Sequence, residues 1–146
     1  MEIKIVPLGP DHIEDAARLE RLCFSAPWSA DQIAETLSNP CAVYFAALCG
    51  EKLVGYVGMY SVGGEGGINN IAVDPGFRRS GVGTALLSGL IRAGTEAGLS
   101  RLCLEVRASN TAAVSLYEKN GFHRVGVRRG YYTAPKEDAV LFDKDL

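Results

Sequence analysis

The chain has no long apolar run. None of its 146 residues belongs to a stretch of the length a bilayer-spanning helix needs, and the opening segment, MEIKIVPLGPDHIEDAARLE, is broken by charges every few positions, unlike a secretory leader. A cytoplasmic protein without a membrane partner is the expectation. Excess charge is missing too: 15 Lys and Arg stand against 17 Asp and Glu, a net charge of −2. No global basic field is present to draw nucleic acid, so any anion must be met locally. Metal-binding patterns are absent: Cys23, Cys41, Cys49 and Cys103 include no C-x-x-C pair, and His12 and His123 lie far apart in sequence. This argues against a zinc site or a disulfide framework.

What is present suits one domain over residues 1–146, with 47% hydrophobic residues to supply a core. Asp11 with Glu14 reads as a capping box opening a first helix, and Ser29 with Gln32 repeats it after Pro27 and Trp28. Asn39-Pro40 must stop that second helix. Residues 41–48 and 53–62 read as a strand pair around a hairpin-length turn, and 68–73 as a third strand ended by Asp74-Pro75-Gly76. A helix over 82–97 follows, with Leu86, Leu87, Leu90 and Ile91 on its apolar face. In RLCLEVR, residues 101–107, Leu102, Leu104 and Val106 point one way and Cys103, Glu105 and Arg107 the other. Asn110 caps a helix reaching Lys119, Gly121 stops it, and two strands joined by a loop containing Ala134-Pro135-Lys136 close the chain. IKIVPL, residues 3–8, has the composition of one more short strand. Strands alternating with helices predict an α/β fold: a mixed central sheet of about six to seven strands flanked by about four helices.

Within this order, RRSGVGTALL at residues 79–88 sets bare glycines behind arginines at the start of a helix. Free backbone N–H groups and the helix dipole make such a terminus an anion site, and Gly81 and Gly83 would let a phosphate approach the main chain. Arg78 and Arg79 add local charge. A P-loop would need G-K-[ST] where Gly83-Thr84-Ala85 stands, and a dinucleotide fingerprint would need a small residue at Leu86. A tight turn with solvated arginines is the alternative.

Taken together, NIAVDPGFRRSGVGTALL (70–87), LEVRASNTAAVSLYEKNGF (104–122) and RRGYYTAPKEDAV (128–140) resemble the GNAT acetyltransferase superfamily, and more narrowly its RimI-like branch, the ribosomal-protein-alanine N-acetyltransferases. Pro27-Trp28 matches as well, so the resemblance runs along nearly the whole chain. It implies acetyl-CoA as cosubstrate and no metal. The coenzyme's pyrophosphate would rest on the signature loop, Arg78, Arg79, Ser80, Gly81, Val82, Gly83 and Thr84. Its pantetheine arm would pair with Ile71, Ala72 and Val73, with Val73 first in line to donate an N–H to the oxyanion. Asn110 would bond the coenzyme besides capping its helix.

The same resemblance makes Glu105 the general base and Tyr117 the general acid, and sets Tyr131 and Tyr132 at a peptide groove. From the residues alone, Glu105 could equally pair with Arg107, Tyr117 could pack as a core aromatic, and the two tyrosines, read as lying in the last loop, could cap a sheet edge. The implied acceptor is a protein N-terminus, that of an alanine-first small-subunit ribosomal protein; a small-molecule amine or a lysine is the alternative, and a noncatalytic acyl-CoA module the remaining one. One departure stands out: Gly66, Gly67 and Asn69 stand between Glu65 and the N-I-A-V of residues 70–73, where members of the family carry a more substantial strand start. Those glycines are expected to weaken strand order there.

Overall fold

The computed structural model describes residues 2–146 and contains one seven-stranded sheet with four α-helices. β1 (Ile3–Pro7) leads through a one-turn helix to α1 (Ile13–Cys23) and α2 (Ala30–Leu37). β2 (Ala42–Cys49), β3 (Lys52–Val62) and β4 (Glu65–Val73) form an antiparallel meander. α3 (Val82–Glu96), β5 (Arg101–Arg107), α4 (Thr111–Lys119), β6 (His123–Thr133) and β7 (Lys136–Asp145) complete the chain. The strand order is β1-β2-β3-β4-β5-β7-β6, antiparallel throughout except where β4 meets β5. None of the described helices is long and apolar enough to cross a membrane.

Alternation along the strands divides the interior in two. Val54, Val57 and Met59 of β3, with Leu102, Leu104 and Val106 of β5, pack against Leu86, Leu87 and Leu90 of α3 and Tyr117 of α4. On the opposite face Tyr44, Ala46, Leu53, Tyr56 and Ala72 pack against Ala16, Ala17 and Leu19 of α1 and Ile33 of α2. Leu104 and Glu105 are neighbours in β5, so Glu105 projects from the α1–α2 face while Leu104 projects from the α3–α4 face.

Local signals hold where side chain and backbone cooperate. Ser29 and Gln32 form their reciprocal cap, at 3.2 and 2.8 Å, and Asn110 accepts the Ala113 N–H at 3.2 Å. Gly121 takes φ +87° as α4 ends, a left-handed conformation that suits glycine. The Asp11–Glu14 box does not form. Residues 10–12 make the one-turn helix, His12 Nδ1 accepts the Gly9 N–H at 2.9 Å, and α1 begins at Ile13.

The glycines before Ile68 are not a break either, since β4 starts at Glu65 and runs through them. A Cβ on Gly66 would stand 2.7 Å from both Leu102 Cδ2 and Met59 Sδ, so glycine there allows close packing beneath α3. Tyr131 and Tyr132 lie within β6, beside a register shift between Arg128 and Tyr132, rather than in a loop. The bulge turns the end of this strand towards β5 and β7.

Candidate active site

β4 and β5 part company along their length. They pair only through Glu65↔Arg101, Gly66↔Leu102 and Gly67↔Cys103. Beyond that point β4 stays on β3 and β5 stays on β7, so a V opens between residues 68–73 and 104–107. A bulge helps: Gly58 faces Asn70 and Met59 faces Ile68, leaving Asn69 unopposed and bending β4.

The direction of the backbone groups in the V follows from one bond. Asp74 donates its N–H to Val54 O of β3 at 2.8 Å, so by alternation Ala72 also points to β3 while Ile71 and Val73 point into the gap. The Cys23 thiol, 3.4 Å from Val73 O, approaches from that open side. Ile71 and Val73 are thus an unpaired strand edge, and the amide of Ala72 is committed to the sheet.

The mouth of the V lies beside the start of α3. Asp74 caps the one-turn helix Pro75–Phe77 by accepting the Gly76 N–H at 2.9 Å, and the Ser80 hydroxyl donates to Phe77 O. Arg79, at φ +65°, and Gly81, at φ +85°, then reverse the chain into the helix. No side chain caps Gly81, and the first helical bond is Ala85 N–H to Gly81 O at 3.0 Å. The N–H groups of Val82, Gly83 and Thr84 therefore face outwards at the positive end of a helix dipole, beside the exposed Arg78 and Arg79. Gly83 has a second reason to be glycine: its Cβ would stand 2.9 Å from Leu116 Cδ2 of α4.

Glu105 is exposed on the wall of the V, and its neighbour on the same face does not neutralise it. Arg107 is drawn to β7 instead, with Glu137 at 3.2 Å, Pro135 O at 2.9 Å and the Tyr132 ring centroid at 4.3 Å. Glu137 also accepts the Ser109 N–H at 2.6 Å; its bonds with Ser109, followed by Arg107, hold its carboxyl below the usual range. This arrangement locks the turn leading to Asn110. Glu105 receives a hydrogen bond from the Tyr131 hydroxyl at 3.3 Å, and Tyr131 stacks edge-on against Tyr132, centroids 5.0 Å apart.

Tyr117 approaches from the other face. Its ring is buried against Phe122 and Phe142, at 5.5 and 6.2 Å between centroids. Burial, followed by the neighbouring Tyr132 phenol, pushes its own phenol well above the ordinary value. It stays protonated at neutral pH and remains a hydrogen-bond donor. Burial, followed by the charge of Glu105, likewise raises Tyr132. Tyr132 thus lies within electrostatic reach of both Glu105 and Tyr117, which a closed sheet would have kept on opposite faces. Cys103 is half-buried, and burial, followed by Asp143, Glu65 and Glu105, pushes its thiol up, away from the reactive thiolate.

One acidic residue of this face escaped the reading of the motifs. Glu20 is 1% exposed and ties α1 to β3, β4 and the segment before α2. Its Oε1 accepts the Trp28 N–H at 2.9 Å, and its Oε2 accepts the Asn70 side chain at 2.8 Å and the Tyr56 hydroxyl. Ile13, Ala16, Ala17 and Glu20 follow the i, i+3, i+4, i+7 pattern, so a carboxylate on the apolar stripe of α1 was the available signal.

Comparison with known proteins fits this geometry. The Acetyltransferase (GNAT) family model matches residues 13–122. The Escherichia coli [ribosomal protein bS18]-alanine N-acetyltransferase is 39% identical over 130 residues, covering 86% of each chain. Its crystal structure superposes with a TM-score of 0.90 at 34% identity, over 99% of this chain and 94% of that one. An uncharacterized Mycobacterium leprae protein is 37% identical over 98% of this chain, which spans 41% of that longer protein. The fold is shared at 20% identity, with a TM-score of 0.90 and 99% coverage of both chains, by Arabidopsis thaliana NAA60 solved in complex with acetyl-CoA. A strand edge open to an extended arm, a helix start open to phosphate and a family match over three quarters of its length agree: this chain belongs to the GNAT family of acetyltransferases.

Proposed function

We propose that the chain works in the cytoplasm and moves the acetyl group of acetyl-CoA directly onto the N-terminal α-amine of a protein, that of an alanine-first small-subunit ribosomal protein. The observation that carries this reading is the isolation of Glu105 from cations: its same-face neighbour Arg107 is engaged by Glu137, and its contact is the Tyr131 hydroxyl. A carboxylate left free on the wall of an open V is available to a proton of the acceptor.

The amine nitrogen attacks the thioester carbonyl, a C–N bond forms, the C–S bond breaks, and the amine proton passes to Glu105 directly or through a water. The inward N–H of Val73 donates to the oxyanion that develops, while the Ile71 edge pairs with the pantetheine arm. Tyr117 returns a proton to the departing sulfur. The outward N–H groups of Val82, Gly83 and Thr84, with Arg78, Arg79, Ser80 and Gly81, hold the pyrophosphate, and Asn110 adds a polar contact from the α4 cap. Tyr131 and Tyr132 form one wall of the acceptor groove.

A single carboxylate base suits an α-amine. Deprotonation at pH 7 costs about 1.4 kcal/mol for an α-amino group and about 4.6 kcal/mol for a lysine. The relatives named as alanine N-acetyltransferases support the same choice. The test is free-thiol release from acetyl-CoA with three samples: a peptide with a free N-terminal alanine, an N-blocked peptide carrying lysine, and the free peptide with Glu105→Gln enzyme. Only the first turns over rapidly, and the variant loses about 10²-fold or more. Equal turnover of the blocked peptide, or an unaffected Glu105→Gln enzyme, would overturn the proposal.

A further inference from the structure

The face that carries Glu105 holds a second depression that acetyl transfer does not use. Tyr60 of β3 pairs with Gly67 of β4, which pairs with Cys103 of β5. The three positions therefore form one row across the α1–α2 face, two residues along β5 from Glu105. A Cβ on Gly67 would meet nothing within 4 Å, and its φ is not in the left-handed region. Neither packing nor backbone demands glycine there, whereas the adjacent Gly66 is hemmed in at 2.7 Å. Gly67 is bare floor in the middle of a strand, a position where a side chain would add order.

Beyond that floor Tyr60 walls a groove of about 590 Å³ between α2 and the end of β3. Trp28, Thr36 and Asn39 line it, and Glu35, exposed on α2, is its one charged lining residue. The Trp28 wall is anchored through its N–H on buried Glu20, so the groove has a fixed edge. From Glu105 to the groove wall is two strand spacings of about 4.8 Å and two residues of about 3.4 Å, or roughly 12 Å on the diagonal. An extended polypeptide covers that in about three to four residues.

We propose that the acceptor polypeptide leaves the reaction centre across Gly67 and lies in the α2–β3 groove from about its fourth residue, with a cationic side chain set against Glu35. This rests on the N-terminal reading of the acceptor and extends it from the first residue to the following segment. Backbone amides of the extended chain find Asn39, Thr36 and Gln32 as polar partners. Gly67 keeps the path open because any side chain there would stand where the chain passes.

The experiment compares alanine-first peptides of two and eight residues at saturating acetyl-CoA. The longer ones carry arginine or glutamate at positions 4 to 6 and are tested on wild-type, Glu35→Arg and Gly67→Val enzymes. The arginine peptide is expected to exceed the dipeptide about tenfold in kcat/KM, through KM. It also exceeds the glutamate peptide by up to about fivefold, the scale of an exposed ion pair. Glu35→Arg reverses the charge preference, and Gly67→Val brings the long peptide down to the efficiency of the short one. Equal efficiency of two and eight residues, or a charge preference indifferent to Glu35→Arg, overturns the groove while leaving N-terminal acetylation intact. Failure of every alanine-first acceptor overturns both. The Glu35→Arg arm changes only an exposed helix position, so the result does not depend on Gly67→Val folding.

Discussion

Replacing Glu20 with alanine tests how the acceptor side of the cleft is held. The carboxylate is 1% exposed and accepts from the Trp28 backbone, the Asn70 amide and the Tyr56 hydroxyl. Hydrogen bonds to a charged group contribute about 1.5–3 kcal/mol each, and a buried donor left without a partner costs about 1–3 kcal/mol. Two effects reduce the sum. Asn70 and Tyr56 keep each other at 3.0 Å, and removing the carboxylate also removes its own desolvation cost. The net loss expected for Glu20→Ala is about 3 kcal/mol, a fall in Tm of roughly 10 °C for a chain of this size.

Urea denaturation gives the stability loss, thermal unfolding the fall in Tm, and steady-state kinetics the effect on the cleft. Because Glu20 anchors Trp28 directly and reaches the coenzyme edge only through Asn70 of β4, KM for the acceptor peptide rises more than KM for acetyl-CoA. Glu20→Gln keeps an oxygen for the Trp28 N–H and recovers part of both losses. A stability change under about 1 kcal/mol, or equal increases in the two KM values, would refute the network as the anchor of this loop.

Two further outcomes follow from the same geometry. Tyr117→Phe removes the hydroxyl but keeps the buried ring, so kcat falls about 10²-fold with little change in stability, measured by initial rates and thermal unfolding. Since burial and then Tyr132 raise the Tyr117 phenol, the donor persists as pH rises, and the wild-type advantage over Tyr117→Phe is undiminished at pH 9, just below the ordinary tyrosine value of about 10. Loss of that advantage by pH 9 would remove Tyr117 as the acid. Gly83→Ala brings a methyl to 2.9 Å from Leu116 Cδ2; the half-buried leucine end can turn aside, so the overpacking cost is about 1 kcal/mol, the low end of the range. In a double-mutant cycle Leu116→Ala relieves it, and additivity of the two substitutions would disprove the contact.

Much of the architecture was legible because it is written locally. The Ser29 and Asn110 caps need only neighbours three residues away, and the alternation of RLCLEVR fixes which way Glu105 faces. The misreadings share another cause. The expected Asp11–Glu14 box lost to the His12 ring, which reaches Gly9 because Pro10 starts a tighter turn. Gly66 and Gly67 read as a weak strand start, yet one is packed under Leu102 and the other paired with Cys103. Arg107 was one alternative partner for Glu105 beside the preferred base role; the register of β7 brings Glu137 to Arg107 instead. Likewise Tyr132 belongs to β6 because Glu137 of β7 pairs with it, and Tyr131 lies in the bulge just before it. Periodicity within one strand carries no information about its neighbour's register. The residues proposed for the site were recognisable by motif; the contacts that leave them free or engaged were not.

The narrow join between β4 and β5 has a mechanical consequence. Four strands lie on one side of it and three on the other, and the ladder that should stitch them spans three residue pairs. A pantetheine arm laid along Ile71 and Val73 would act as a clasp across this seam, bearing load that a complete ladder would otherwise carry. Tight loading would then stiffen both halves of the molecule together, since a ligand at a hundred times its Kd adds about 2.7 kcal/mol to the folded state. Departure of the spent coenzyme would relax the same seam, so the enzyme would breathe once per turnover along a line set by where its backbone pairing stops.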